Sequence, residues 1–275
     1  MGKFSKEMKQ KYKDKNKKSI AVYLLLRFLV IICMWVQIVM KQYNNALLCI
    51  LALFLFTVPT IISEKFKIGI PSLLESIIYM FIFSSAILGE INNFYGIIPG
   101  WDTMLHTLNG FICAGIGFSL VDLLNQNSEK ISLSPLYVAL VGFCFSMTIG
   151  ILWEFYEFTS DRIFLTDMQK DRIVQKFGSV DLNKDKVNST VKVENIDKTT
   201  IHTKDNKEYV IEGGYLDIGI VDTMKDLFVN FIGAVVYSTL GYFYIKKRDY
   251  KFVKNFMPNK IKTDWLKNKK YNGKI

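Results

Sequence analysis

The 275-residue chain carries 35 Lys and Arg against 25 Asp and Glu, yet half of its residues are hydrophobic and its mean hydropathy is +0.20. A soluble globular domain with this many charges is excluded, because its charges would be spread between short apolar stretches rather than set apart from long ones. The two ends carry more positive charge than the whole chain's net +10, and such a distribution marks membrane flanks and not a nucleic-acid surface.

Residues 1–18 carry eight Lys against Glu7 and Asp14 and are expected to form a basic cytoplasmic tail. The first apolar run, Ser19 to Met40, is too long for a signal peptide and lacks a small-residue cleavage pattern, so it is predicted to be a retained anchor. Four more runs follow within residues 19–158: Asn45 to Ser63, Ile70 to Gly89, Thr103 to Asn125 and Leu133 to Phe158. A sixth covers Ile220 to Ile245, and residues 246–275 close the chain with eleven Lys and Arg against Asp249 and Asp264. A helix needs about 20 apolar residues to cross a core of roughly 30 Å, and only helices or closed barrels satisfy their own backbone there. The expectation is an all-α polytopic membrane protein of about six transmembrane helices, with a small polar insert between the fifth and the sixth.

Orientation follows from Lys and Arg near the span ends. Both termini are basic and an even number of crossings puts them together; Lys65 and Lys67 fall on the same side, whereas Glu90 to Trp101 has neither Lys nor Arg. Both termini are therefore expected in the cytoplasm, and the polar stretch 159–219 outside. Within that insert, Asp167 to Phe177 suits a short helix. Val191 to Val193, Thr199 to Thr203 and Glu208 to Ile211 alternate as strands, with Asp205 and Asn206 as turn residues, giving a β-hairpin or a three-stranded cap.

Cys33, Cys49, Cys113 and Cys144 lie in apolar runs without metal-type spacing and read as small hydrophobes. Arg27 and Glu75, both expected near the cytoplasmic face, suit a buried pair that fixes packing. Gly110, Ala114, Gly117, Gly233 and Ala234 would let helices approach closely. The basic tails, with Phe252, Phe256 and Trp265, suit membrane lipids, anionic ones in particular.

The ionisable residues inside the spans carry the functional signal. Asp102 and His106 start the fourth span, Glu154 and Glu157 end the fifth, and Asp222 and Asp226 start the sixth, so threading the chain through a bilayer brings all six to one face. Residues three or four apart share a helical face, giving stripes of Asp102, His106 and Asn109; of Gly150, Glu154, Glu157 and Asp161; and of Asp222, Asp226, Asn230 and Gly233. Glu90 lies near enough to join them. Carboxylates and an imidazole converging from several helices suit a divalent metal, with oxygen ligands for Mg, Ca or Mn and a mixed set for Zn, Mn or Fe. Without metal, some carboxylates would hold protons and His106, Glu154 and Glu157 would share acid and base duties. The structural alternatives are that Asp102 caps its helix, that Thr223 and Asp226 form a capping box, and that His106 only packs. Glu154 and Glu157 need a cation, a proton or a partner such as Arg162, because negative charge opposes the dipole at a helix C-terminus.

The run Trp101-Asp-Thr-Met-Leu-His106 with Asn109-Gly110-Phe111, then Trp153-Glu-Phe-Tyr-Glu157, then Asp222-Thr-Met-Lys-Asp226 with Gly233-Ala234 resembles the YjdF-like family of bacterial polytopic membrane proteins. The resemblance covers about residues 85 to 245, implies a bacterial cytoplasmic-membrane protein and groups the three motifs into one site. More distantly, the Asp and His four apart and the later acidic helices look like the VanZ-like envelope proteins. The chain departs from the YjdF-like pattern in its long insert and in having Glu90 where a His is expected. No nucleophile motif, phosphate loop or nucleotide fingerprint appears. Three readings follow: a membrane enzyme acting at the outer leaflet on a lipid-linked or envelope substrate, an ion- or proton-coupled transporter, and a structural or accessory protein. Spans four to six read as largely apolar toward the inner face, which counts against transport.

Overall fold

The structure is a computed structural model that describes residues 17–66, 68–127, 132–185, 187–247 and 259–260. The basic stretches that were expected to meet anionic lipid, with Phe252, Phe256 and Trp265, fall outside these residues apart from the tails' inner ends and the pair 259–260. The protein is a helical membrane protein: among the described residues six helical segments are long and apolar enough to cross a bilayer, Ser19–Val39, Tyr43–Lys65, Ser72–Ile91, Trp101–Asn125, Pro135–Phe164 and Ile220–Lys246. The chain forms two compact units, Met1–Gly150 with Val229–Ile275, and Ile151–Phe228.

In the first unit α1 (Lys17–Val39) turns at Lys41, which takes a positive φ, into α2 (Tyr43–Leu55). The second span breaks before α3 (Val58–Phe66) because Pro59 has no N–H to continue the ladder; the Thr57 hydroxyl and amide both serve the Phe54 carbonyl instead. A short strand β1 (Ile68–Gly69) follows and pairs antiparallel with β8 (Asn259–Lys260). Next, α4 (Ser72–Phe83) starts after Pro71 and runs on into a π-helical segment, Ser84–Ile91, whose wide turn is closed by the Asn92 amide and side chain on the Ile87 carbonyl. The short α5 (Phe94–Ile97) and Gly100, at a φ of +80° that glycine adopts freely, lead to α6 (Trp101–Asn127).

Helices α7 (Pro135–Phe164) and α8 (Ile220–Lys247) are each continuous. Two cores organise the first unit. Val30, Cys49, Ala52, Phe56, Tyr79 and Ile87 join α1, α2, α4 and the π-helical segment, while Ala114, Phe118, Val138, Ala139, Ala234 and Tyr237 join α6, α7 and α8. The outward faces are apolar, with Leu24, Leu25, Phe28 and Trp35 exposed on α1, as lipid contact requires. All four cysteines are free; Cys49 is buried as expected and Cys144 is exposed.

Where α6 meets α8 the expected small residues do the work. A β-carbon on Gly110 would lie 2.1 Å from the Asn230 carbonyl oxygen, and one on Gly233 would lie 2.0 Å from that of Thr107, so the two backbones touch. The expected Arg27–Glu75 relation takes a different form. Arg27 donates to the Tyr23 hydroxyl, Glu75 accepts from the hydroxyls of Ser19 (3.2 Å) and Tyr79 (2.9 Å), and the two tyrosine rings meet at 5.0 Å, tilted by 50°.

The second unit holds the end of α7, the insert and the start of α8. Its strands form three antiparallel pairs: β2 (Arg172–Val174) with β7 (Tyr215–Asp217), β3 (Phe177–Ser179) with β4 (Val191–Val193), and β5 (Lys198–His202) with β6 (Glu208–Glu212). The hairpin turning at Asp205 and Asn206 is as predicted. Strand β4 pairs with β3 rather than adding a third strand to that hairpin. The helix expected over Asp167 to Phe177 does not form. Instead the Asp161 carboxylate accepts from the Thr166 hydroxyl and from the amides of Met168 and Gln169, which satisfies donors that a helix would have used, and the β-branched Ile173 and Val174 go into β2.

Candidate functional site

The first unit contributes the beginning of α6. Asp102 lies inside its first turn, near the positive end of the helix dipole and past the cap position, and His106 follows on the same face with Nε2 3.3 Å from Asp102 Oδ1. Both side chains are largely shielded. One turn on, Asn109 donates to Asn230 Oδ1 at 3.2 Å and accepts from Cys113 Sγ at 3.4 Å. Asn230 is 1% exposed, and its amide also meets Met147 Sδ at 3.7 Å. Gly150 makes room for it, since a β-carbon there would stand 2.7 Å from Asn230 Nδ2. Ser146 ties α7 to α6 through the Gly110 carbonyl at 2.8 Å. Asn230 is thus a node where three helices share one buried amide.

The second unit holds the other four predicted residues, all buried: Glu154, Glu157, Asp222 and Asp226. Because α7 runs on to Phe164, past the expected end at Phe158, Glu154 and Glu157 lie well before its last turn, where the dipole penalty is small. Glu157 accepts from Trp153 Nε1 at 2.7 Å, and Arg162 stacks over the Phe158 ring. Asp222 faces the insert: Oδ1 meets Arg172 Nη2 at 2.8 Å and Oδ2 accepts the Lys170 amide at 3.0 Å. Asp226 lies 3.8 Å from Lys225 Nζ.

The capping box expected from Thr223 and Asp226 is not the helix start. α8 begins at Ile220, where Asp217 accepts the Val221 amide at 2.8 Å, and Thr223 accepts from Gln169 at 2.5 Å. Beside these contacts, Asp171 has its carboxyl pushed above the usual carboxylate range, by partial desolvation first and then by Asp167, Asp161 and Asp217.

One group went unremarked in the sequence. Asp122, Ser119, Tyr237 and Ser238 are buried on the far halves of α6 and α8, in stretches read as largely apolar. The three-residue spacing of Ser119 and Asp122 was the available signal.

Residues 21–247 match the family described as a predicted membrane protein (DUF2238), and the chain belongs to that family. An uncharacterized protein of Thermotoga maritima is 33% identical over 82 residues, covering 30% of this chain and 41% of the relative, so the chain spans less than half of that protein. No solved structure matches.

Proposed function

We propose that this member of the DUF2238 family is a membrane enzyme whose site combines His106, Asp226 and Glu154, with Asp102 and Glu157 beside them, around a divalent metal ion. The observation that carries the reading is the Asn230 node. Contacts between α6 and α8 advance together along both chains, from Asn109 with Asn230, through Thr107 and Phe111 with Gly233 and Phe111 with Tyr237, to Phe118 with Gly241, so these helices run parallel. Contacts of α7 run the opposite way, Gly117 with Phe145 and Gly110 with Ser146, and Gly150 lies against Asn230. Helical periodicity supports the reading: each stripe continues one turn from the node to His106, to Asp226 or to Glu154, and a further turn to Asp102, Asp222 or Glu157.

A mixed nitrogen and oxygen set suits Zn, Mn or Fe, and a cation offsets the repulsion among buried carboxylates. Such a metal lowers the pKa of bound water and polarises phosphoryl or carbonyl oxygens, chemistry that suits a lipid-linked or envelope substrate. In this reading Asp222 is an anchor for the insert and not a ligand. The YjdF-like likeness, through the same three motifs, supports a single site, and the positive-inside pattern supports cytoplasmic termini with the insert outside.

Elemental analysis of the purified protein tests the reading. About one metal per chain is expected, lost in His106→Ala and Glu154→Ala variants that still fold. No bound metal in the unaltered protein, even after incubation with Mg, Mn and Zn, would overturn it.

A further inference from the structure

Two cysteines face each other in the hairpin of α1 and α2, within the first unit. The register of that hairpin is fixed from its turn at Lys41. The Asn45 side-chain amide donates to the Gln37 side-chain oxygen at 3.1 Å, and one helical turn further from the bend come Cys33 on α1 and Cys49 on α2. Beyond them Val30 and Ala52 share one buried cluster with Cys49, and the Tyr23 and Phe56 rings meet edge-on at 6.4 Å. The helices are thus antiparallel neighbours over this stretch, with Cys33 opposite Cys49, and the two thiols interact directly. Ala46 and Ala52, one turn to either side of Cys49, are buried as well, so this face of α2 carries small side chains that let α1 come close.

The surroundings restrict what such a pair can do. Cys33 lies six residues before Val39 and Cys49 six residues after Tyr43, so each is about 9 Å from the nearer end of its span. Cys49 is fully buried and Cys33 half-buried, and Ile32 and Val36 beside Cys33 are exposed as lipid contact requires. Water-soluble thiols and oxidoreductases do not enter this layer. A soft monovalent cation on two thiolates would leave a net negative charge in hydrocarbon, which is unfavourable. A dithiol and a disulfide are both uncharged, and a quinone dissolved in the bilayer reaches this depth.

We infer that Cys33 and Cys49 form an oxidisable dithiol whose electron acceptor is a membrane quinone. Both S–H bonds break and one S–S bond forms. The two electrons and two protons pass to the quinone, which becomes a quinol, so no charge is left in the membrane. The product ties α1 to α2 covalently beside the core of Val30, Ala52 and Phe56.

Quinone reduction tests this. The full chain, purified in mild detergent with its thiols reduced and then freed of reductant without oxygen, is mixed with ubiquinone-1. About one quinol per chain is expected by absorbance, with an intact mass lower by two hydrogens and a peptide cross-linked between Cys33 and Cys49. The quinol yield should fall by about tenfold or more in Cys33→Ala and in Cys49→Ala, because a lone thiol has no partner to close on, and stay unchanged in Cys113→Ala and Cys144→Ala. Cys33→Ser, at the half-buried position, serves if either of the first two does not fold. The oxidised chain should melt at a higher temperature than the reduced one, and that difference should be absent in Cys33→Ser. Thiols that stay free beside the quinone, a disulfide that joins other cysteines or two chains, or a quinol yield unchanged in the Cys33 and Cys49 variants would overturn the inference. So would a lasting mass gain of one quinone, which marks addition to a single thiol. Uptake of Cu(I) by a chain that leaves the quinone unreduced would make the pair a metal site and the redox assignment wrong.

Discussion

Replacing Gly233 with Ala probes the contact on which the geometry of the candidate site depends. The new β-carbon would stand 2.0 Å from the Thr107 carbonyl oxygen and 2.9 Å from the Phe111 amide nitrogen, whereas real β-carbons essentially never come within 3.0 Å of another heavy atom. Both neighbours are backbone, so no side chain can swing aside and α6 must move away from α8 by about 1 Å. Overpacking of this kind costs about 1–3 kcal/mol, and the better helix propensity of Ala returns up to about 1 kcal/mol. A net loss of about 1–2 kcal/mol should lower the melting temperature in detergent by about 3 °C or more. Because Thr107 adjoins His106, the same shift should weaken metal binding by tenfold or more, as about 1 Å of misplacement does in a preorganised site. Gly96→Ala is the control, since its β-carbon meets only the side-chain end of Asn93, which can turn away. A Gly233→Ala protein as stable as the unaltered chain would show that the two backbones do not meet there, and the reading that groups His106 with Asp226 and Glu154 would lose that support.

Asp222→Asn should keep its metal while the insert loosens, because Asp222 serves Arg172 and the Lys170 amide; the loss is about 1–3 kcal/mol, toward the lower end since Arg172 is half-exposed, and limited proteolysis between residues 165 and 219 reads it out. Metal loss on this substitution without faster proteolysis would make Asp222 a ligand after all. Trp153→Phe deprives buried Glu157 of a 2.7 Å hydrogen bond and should cost about 1–3 kcal/mol, seen as a lower melting temperature. Asp171 has a raised folded-state pKa, so the folded chain binds more protons than the unfolded one through the carboxylate range, and its contribution to stability falls as pH rises. Asp171→Asn should flatten that dependence and raise the stability of the insert at neutral pH, and an unchanged slope between pH 4 and 7 would count against the charge cluster.

The spans were legible because a bilayer leaves few choices: an apolar run long enough to cross becomes a helix, and the expected segments match the observed ones to within a few residues at most ends. The fifth ran six residues further, to Phe164, because nothing between Phe158 and Phe164 breaks a helix even though the sequence turns polar. Small residues at Gly110 and Gly233 announced close packing and deliver it. The strands at β4, β5 and β6 were readable from alternation of apolar and polar residues. What failed depended on partners far along the chain. Asp167 to Asp171 has local helix potential, but Asp161 takes the amides of Met168 and Gln169, and β2 finds its partner in β7, more than forty residues on. Asp222 meets Arg172, fifty residues away, a partner that spacing within one helix could not supply. The π-helical segment had no sequence signature. It is held by Asn92 closing on Ile87 and by Trp101 Nε1 on the Ser84 carbonyl at 3.3 Å, which ties it to the first residue of α6, next to Asp102.

Asp122 changes the balance between an enzyme and a transporter more than any other residue missed in the sequence. Its carboxylate, with Ser119, Tyr237 and Ser238, is buried on the same pair of helices that carries His106 and Asp226, so the apolar inner half that counted against transport is not wholly apolar. A carrier needs more than polar groups at both ends; it needs a way between them. From Asn109 to Asp122 is about 20 Å along α6. That interval contains Ala114 and Phe118, with Ala234 opposite, all fully buried, and the rings of Phe111 and Phe118 meet Tyr237 edge-on at 5.0 and 6.1 Å. Among the described residues, these packed side chains stand between the two polar groups. The two polar groups are therefore separate features of one helix pair. Alternating access would have to part the α6 and α8 backbones where Gly110 and Gly233 lock them together.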